Sequence, residues 1–344
     1  MKAKLSLIDV AKKVGVHPST VSLALKGDSR ISLKRREQII QAAKELNYVP
    51  NYLAKGLAGA KTYSVGILIP KLRDTFVVDC MGVQERWLKN KGYMPFLVVT
   101  HQDPKVELFA IDSMIGRGVD GLIFDYIPHD SQVIEKVKNL IKRSKPISFL
   151  GKPKFADKLA DTVDLDLFDC GYDITKHLLE LGHKRIAIIV MDLGDERQQR
   201  RLEGYRKALS EYDIQYDPLL VFEQNYLQQD ANALRKSIMS LKNRPTAICA
   251  YNDDLAAELM VELTEVGYRI PQDVSITGVN DSWYSDKTVV PLTTYHLPVE
   301  EMAAAVAEFN FNRIENPNIK PSHKLFTGQV KVRRSTSKPT NNKE

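Results

Sequence analysis

The chain has 344 residues, with 49 Lys and Arg against 43 Asp and Glu, 43% hydrophobic residues and no biased tract. That composition excludes a disordered protein and a small stapled domain, and the length supplies two or three compact units. No apolar run approaches the roughly 18–20 residues of a membrane span, and Met1–Val16 lacks the uninterrupted apolar stretch of a secretion signal. A cytoplasmic protein with no membrane contact is expected. Cys80, Cys170 and Cys249 show no Cys-x-x-Cys spacing and no His pair has metal-ligand spacing, so neither disulfide, metal nor cofactor is expected.

Charge is unevenly spread. Residues 1–61 carry 12 basic and 4 acidic side chains, and the rest of the chain 37 and 39. A basic head on a near-neutral body points to a polyanion partner for the head; a solvated helical face is the alternative. Within the head, Ser6 and Asp9 form a capping-box-like start to a helix bearing Leu7, Ile8, Val10, Ala11 and Val14, which Gly15 ends. A second helix spans His17 to Leu25, with Pro18 in its first turn and Val21 and Leu25 turned to the first helix. A third fits Leu33 to Leu46, with Ile39, Ile40, Ala42, Ala43 and Leu46 buried and Arg35 and Arg36 as its exposed start. Two short helices on a tight turn with a supporting third make a helix-turn-helix, whose second helix fits the major groove.

Leu7-Ile8-Asp9-Val10-Ala11, Gly15-Val16, Thr20-Val21-Ser22, Ala42-Ala43, Leu46, Tyr48 and Pro50-Asn51 stand in one register that resembles the lactose/purine repressor (LacI) family. The resemblance implies that Pro18, Ser19 and Leu23 face base edges and that Thr20 and Ser22 position the DNA backbone. Leu23 departs from the polar or basic residue common there and offers only apolar contact, for instance to a thymine methyl; His17 replaces a common serine. Pro50–Gly59 resembles the family's hinge helix, with Leu57 as the minor-groove wedge and Lys55, where arginine is commoner, toward phosphate. Gly56 and Gly59 each weaken a helix by about 1 kcal/mol, which suits a hinge that orders only on DNA. A plain linker with Leu57 as an apolar dimer contact is the opposing reading.

From Ser64 onward, apolar strand candidates alternate with helical patterns: Val65–Ile69, Phe96–Val99, Leu122–Phe124, Ile147–Leu150, Ile186–Val190, Ala247–Tyr251 and Val274–Val279. This rhythm predicts parallel sheets with helices on both faces, in two doubly wound lobes with a change near Val163–Asp166. Leu178–Ala187, Arg201–Tyr205, Asn252-Asp253, Gly267–Ser275 and Pro291–Thr294 extend the resemblance to the family's regulatory core, itself similar to type I periplasmic sugar-binding proteins. The expected organisation is a head at 1–49, a hinge at 50–61 and a core at 62–344. Its first lobe would take about 62–163 and 296–325, its second about 164–295 and 326–340.

Open α/β sheets bind ligands beyond the carboxyl ends of their strands. The residues there, Lys71–Phe76, Asp125 and Tyr126, Asp192–Arg201, Asn252 and Asp253, and Asn280–Trp283, suit a polyol or sugar: amides, carboxylates and guanidinium groups match paired hydroxyls while an aromatic covers the ring. The resemblance places effector contacts at Arg201, Asn252 and Asn280, with Asp74 and Phe76 in the first loop; Asp125 and Trp283 complete the candidate set. Asn280 stands where aspartate is usual. Competing structural roles remain: Arg201 paired with Glu196 or Glu203, and Asn252 and Asp253 as a helix cap.

An enzyme is not expected, since no GxSxG elbow, P-loop or GxGxxG follows a strand. A solute-binding protein has no use for a basic helix-turn-helix. The expectation is a homodimeric, effector-controlled DNA-binding regulator, most readily a repressor on a pseudo-palindromic operator, with co-repressor, activator and effector-independent modes left open. Gly328–Glu344 lacks leucine heptads, which argues against a coiled-coil tetramer.

Overall fold

The computed structural model describes residues 5–25, 28–49, 61–192, 195–225, 227 and 229–340. Two compact units divide between Thr62 and Tyr63. In the first, α1 (Leu7–Val14), α2 (Pro18–Leu25) and α3 (Leu33–Glu45) close on Val10, Ala11, Val21, Ala24, Ile39, Ala42 and Ala43. Helix α1 begins where the Asp9 carboxylate accepts from the Ser6 backbone N–H at 2.8 Å and the Ser6 Oγ at 2.7 Å. It ends at Gly15, whose φ of 68° is a left-handed position that glycine takes without strain. Arg35 and Arg36 are half-buried rather than an exposed helix start. Arg36 Nη2 donates to the Asp28 carbonyl at 2.8 Å and Arg35 Nη2 to the Val14 carbonyl at 3.3 Å. Both serve carbonyls near helix ends, which lack intrahelical partners.

The second unit begins with β1 (Ser64–Ile69), α4 (Thr75–Asn90), β2 (Met94–Val99), α5 (Pro104–Gly116), β3 (Gly121–Phe124), α6 (Ser131–Lys142), β4 (Ile147–Leu150) and β5 (Asp161–Leu165). There follow α7 (Leu167–Glu180), β6 (Ile186–Met191), α8 (Glu196–Glu211), β7 (Val221–Gln224), α9 (Ala231–Met239), β8 (Ala247–Cys249), α10 (Asp253–Glu265) and β9 (Ser275–Asn280). The last elements are β10 (Thr293–His296), α11 (Val299–Glu315), β11 (His323–Phe326) and β12 (Gln329–Lys331). One six-stranded sheet runs β11-β5-β4-β3-β1-β2 and the other β12-β10-β9-β8-β6-β7. Their ladders are parallel except β10 with β12. Ile67 lies between Leu97 and Ile123 in the first sheet, and Ile188 pairs with Cys249 in the second.

Strands β1, β3 and β4 are buried along their whole length, as parallel strands covered on both faces must be. The chain passes from the first lobe to the second between β5 and α7, returns between β10 and α11, and crosses again between β11 and β12. Met302, Ala303, Val306 and Ile314 of α11 pack with Val65, Ile67 and Leu88 of the first lobe. The strands that sequence reading passed over, β5, β7, β10, β11 and β12, carry polar residues among the apolar ones and lie toward the sheet margins. They are strands through pairing with their neighbours rather than by an apolar run.

In both sheets the strand order reverses beside the first strand of the lobe, between β1 and β3 and between β6 and β8. Connections there leave to opposite faces and open a crevice at the carboxyl ends. Helices α7 and α8 meet at two glycines: a Cβ on Gly171 would stand 2.0 Å from the Arg201 carbonyl oxygen, and one on Gly204 2.1 Å from that of Phe168. This crossing sets the backbone of Arg201. Gly171→Ala and Gly204→Ala should each cost about 1–3 kcal/mol by overpacking, read as a lower midpoint in urea unfolding; an unchanged midpoint would show that the helices separate freely.

Candidate functional site

On the head, α2 buries Val21 and Ala24 and turns Ser19, exposed, and Pro18, Thr20, Ser22 and Leu23, half-exposed, away from the core. His17 starts this helix. Its Nδ1 accepts from the Ser19 backbone N–H at 3.3 Å and lies 2.8 Å from the Ser19 Oγ, so the imidazole takes over the work of an N-cap hydroxyl. The sequence departure at His17 therefore keeps the capping function. Lys55 and Leu57 lie outside the described residues.

In the body, a cavity of about 230 Å³ lies between the lobes and is lined by Asp74, Phe76, Asp125, Arg201, Asn252 and Asn280 among others. These side chains follow β1, β3, β8 and β9 or sit one turn into α8. Arg201 is 4% exposed. Its Nη1 donates to the Tyr251 carbonyl at 3.0 Å and its Nη2 to Cys170 Sγ at 3.5 Å. Neither expected carboxylate pairs with it: Glu203 binds Arg200 and Glu196 binds Lys154. The guanidinium is thus held by one carbonyl and one thiol, both uncharged, with N–H groups to spare.

Three helix starts face the cavity, and each is capped. Asp74 accepts from Val77 N at 3.3 Å, Asp195 from Arg197 N at 2.9 Å and Asn252 from Leu255 N at 2.9 Å. Asn252 is cap and cavity wall at once. Asn280 ends β9 at φ 115°, a left-handed position that amides tolerate better than most side chains. Asp253 is fully buried and stays out of the cavity, fixed by Thr294 Oγ1 at 2.6 Å and by Ser282 N and Ser285 Oγ, each at 2.7 Å.

Those last two bonds turn the chain so that Trp283 points outward, which corrects its assignment to the effector set. It is 69% exposed, edge-on to Tyr284 at 5.6 Å, and lines an outer groove with Leu72, Val78, Leu227 and Val261. Sequence reading also missed Gln102, His129 and Asp164 in the cavity wall. Asp164 would have been found by treating Asp161–Leu165 as a strand and looking at its carboxyl end. On one side of the cleft the lobes are joined: Asp254 of α10 accepts from Thr75 N at 3.2 Å and Thr75 Oγ1 at 2.7 Å, and also from the Tyr284 hydroxyl.

Asp125, like Tyr126 beside it and five other described residues, keeps a buried side-chain atom without a partner. It is 6% exposed, Gln84 Nε2 donates to its Oδ1 at 2.7 Å, and its Oδ2 has no partner among the described residues. Burial pushes its carboxyl up to about 7 against the lowering effect of the Gln84 bond. Asp164 is also raised by burial, opposed by the Arg197 guanidinium.

A three-helix head with a partly exposed second helix and a two-lobed body with a cavity between the lobes are the parts of a DNA-binding regulator of transcription. The model of bacterial regulatory proteins of the lacI family matches residues 6–51, and that of the periplasmic binding protein-like domain residues 175–336. The regulator DegA of Bacillus subtilis (strain 168) is 30% identical over 88% of this chain and 89% of its own. The repressor PurR of Haemophilus influenzae (strain PittEE) is 30% identical over 84% of each. The chain belongs to the lacI family of bacterial regulatory proteins, and is a transcription regulator rather than an enzyme. Among solved structures, the Lac repressor dimer bound to operator and the anti-inducer ONPF is 25% identical, with a TM-score of 0.83 over 97% of this chain and 99% of that one. A regulator from Enterococcus faecium with bound ribose is 27% identical, with a TM-score of 0.71 over 80% and 100%. Among the described residues no helix is long and apolar enough to cross a membrane, and no His, Cys, Asp and Glu group suits a metal.

A carboxyl whose folded pKa lies above its unfolded value binds its proton more tightly when folded, so Asp125 costs stability as pH rises from about 4 through 7. Asp125→Asn has no charge to desolvate and its amide can donate to Gln84. Variant and wild type should melt together below about pH 3.5, and the variant higher by roughly 8–16 °C at pH 8, from about 1.4 kcal/mol per pKa unit and ~2–4 °C per kcal/mol. Asp253, pushed up to about 6 by burial, tilts both curves alike. Parallel curves for the two proteins would place the Asp125 carboxylate in contact with water.

Proposed function

We propose that the chain is a repressor that binds a pseudo-palindromic operator as a homodimer and responds to a small effector, a sugar, held between the lobes. The proposed organisation is a head at 1–49, a hinge at 50–61 and a core at 62–344. The observation that carries the reading is the interlobe cavity of about 230 Å³, where carboxylates, amides and guanidinium groups stand among aliphatic and aromatic walls, in a chain whose head is a helix-turn-helix. The ribose complex cited above and a regulator CelR–cellobiose complex, 25% identical with a TM-score of 0.73 over 96% of this chain and 99% of that one, support the sugar. Pro18, Ser19 and Leu23 read bases, Thr20, Ser22 and Lys55 hold the backbone, and Leu57 enters the minor groove. In the cavity Arg201, Asn252, Asn280, Asp74 and Asp125 bind hydroxyls beside Phe76. The setting is the cytoplasm, where the operator is found.

The second copy fits an apolar surface. Met94, Phe96 and Leu97 are 58%, 45% and 41% exposed on β2, the open edge of the first sheet. An open edge with such side chains invites pairing with another chain. The groove containing Trp283 adds further apolar area. The relative crystallised on its operator is a dimer. Two heads on one twofold axis then address two half-sites.

Effector binding changes lobe closure and with it the spacing of the paired hinges, and the coupling is reciprocal at ~1–3 kcal/mol. With an operator selected from random duplexes, fluorescence anisotropy should show weaker binding by Leu57→Ala with effector affinity unchanged. Arg201→Ala should keep operator affinity and lose effector response. Phe96→Asp should run as a single chain in analytical ultracentrifugation and bind operator poorly. Full operator affinity in both the Leu57 and Phe96 variants would reject the hinge and dimer assignments.

A further inference from the structure

Helix α2 reads Pro-Ser-Thr-Val-Ser-Leu-Ala-Leu and contains no Arg, Lys, Asn, Gln, Asp or Glu. Those are the side chains that discriminate bases best by hydrogen bonding: arginine and lysine on guanine, asparagine and glutamine on adenine, the carboxylates on cytosine. The hydroxyls of Ser19, Thr20 and Ser22 form single bonds that several bases satisfy. Ser19 Oγ is already engaged in part, 2.8 Å from His17 Nδ1. His17, whose Nδ1 accepts from the Ser19 N–H, keeps the proton of its neutral ring on Nε2, a lone donor rather than a fork.

Arginines reaching in from the rest of the head do not fill the gap. Residues 1–61 contain three. Arg30 clamps Asp28, Nε to Oδ1 at 2.9 Å and Nη2 to Oδ2 at 2.7 Å. Arg35 donates to the Val14 carbonyl and, through Nη1, to Gln38 Oε1 at 3.0 Å, while Arg36 donates to the Asp28 and Ile31 carbonyls. What α2 offers instead is Leu23. It is half-exposed, yet the core of the head closes on Val21, Ala24 and Leu25 without it. It stands one turn beyond Ser19, on the same side of the helix. An apolar side chain that the fold does not use, on the exposed side of this helix, is matched by the apolar group that the major groove presents, the C5 methyl of thymine.

Resting on the reading of α2 as the helix that enters the major groove, we propose that each operator half-site holds a thymine whose C5 methyl packs against Leu23, and that this methyl, not a fork-bonded guanine, is the base feature that α2 selects. Packing the two groups together removes both from water, whereas cytosine, without the methyl, leaves Leu23 hydrated. The feature read is the methyl alone, so 5-methylcytosine imitates thymine at this position.

The test uses the full chain and an operator selected from random duplexes, with binding read by fluorescence anisotropy at one fixed salt concentration. Deoxyuridine, which keeps the hydrogen-bonding groups of thymine and lacks its methyl, replaces each thymine of a half-site in turn. At one position it is expected to weaken binding about 4-fold, the equivalent of ~0.8 kcal/mol for a buried methyl-sized group, and about 15-fold when both half-sites carry it. Leu23→Ala is expected to bind the thymine and deoxyuridine duplexes alike. The wild type is expected to bind 5-methylcytosine paired with guanine at that position more tightly than unmethylated cytosine. A selected operator that no deoxyuridine weakens, or a loss of the same size in Leu23→Ala, overturns the methyl readout; it leaves α2 in the groove if Leu23→Arg or Ser19→Ala changes the selected sequence. A selection that returns one sequence for the wild type and both of those variants, or no sequence at all, removes α2 from the groove, and both readings fall together.

Discussion

Parallel strands deliver all of their carboxyl ends to one edge of a sheet, and the arrangement of this body depends on that constraint. Asp74, Asp125, Asn252 and Asn280 come from distant parts of the chain, yet each follows a strand of one of two parallel ladders. Because the strand order reverses beside β1 and beside β6, the helices separate there and the side chains meet in a cavity rather than in a packed core. Arg201 arrives differently, one turn into α8, and is set by the contact of α8 with α7 at Gly204 and Gly171.

Acidic residues do two kinds of work in this frame. Asp253 and Asp161 are buried and fully engaged, the first by three hydrogen bonds and the second by Arg313 at 2.8 Å and by the Ser322 N–H. Asp281 gathers Lys331 at 2.7 Å, His296 at 3.0 Å and Arg333, tying β12 to the end of β9. Such groups specify where segments go, because leaving any of them unpaired would cost more than the bond gains. Asp125, held by Gln84 on one oxygen and without a partner on the other, is not closed off in this way.

The head was legible almost residue by residue, because capping residues, the Gly15 stop and the apolar spacing are local signals. Arg35 and Arg36 were not, since the carbonyls they serve lie 21 and 8 residues away in sequence. In the body the fully buried strands announced themselves as apolar runs, whereas Asp-Thr-Val-Asp-Leu of β5 and His-Lys-Leu-Phe of β11 are strands by virtue of their neighbours. The cavity residues that follow the apolar strands were nominated from the rule about carboxyl ends; Asp164 escaped because its strand did. Trp283 was misplaced for a different reason. Proximity in sequence to Asn280 suggested a shared pocket, but the Asp253 bonds to Ser282 and Ser285 reverse the chain within three residues.

The hydrogen bonds from Thr75 to Asp254 bear on how binding proceeds in time. They join the lobes on one side of the cleft through protein groups alone, so any change of lobe closure on binding either keeps this tie or breaks it. A closure that breaks it adds a step to entry and exit alike, and the residence time on the regulator then carries the rate of that step as well as the contacts within the cavity.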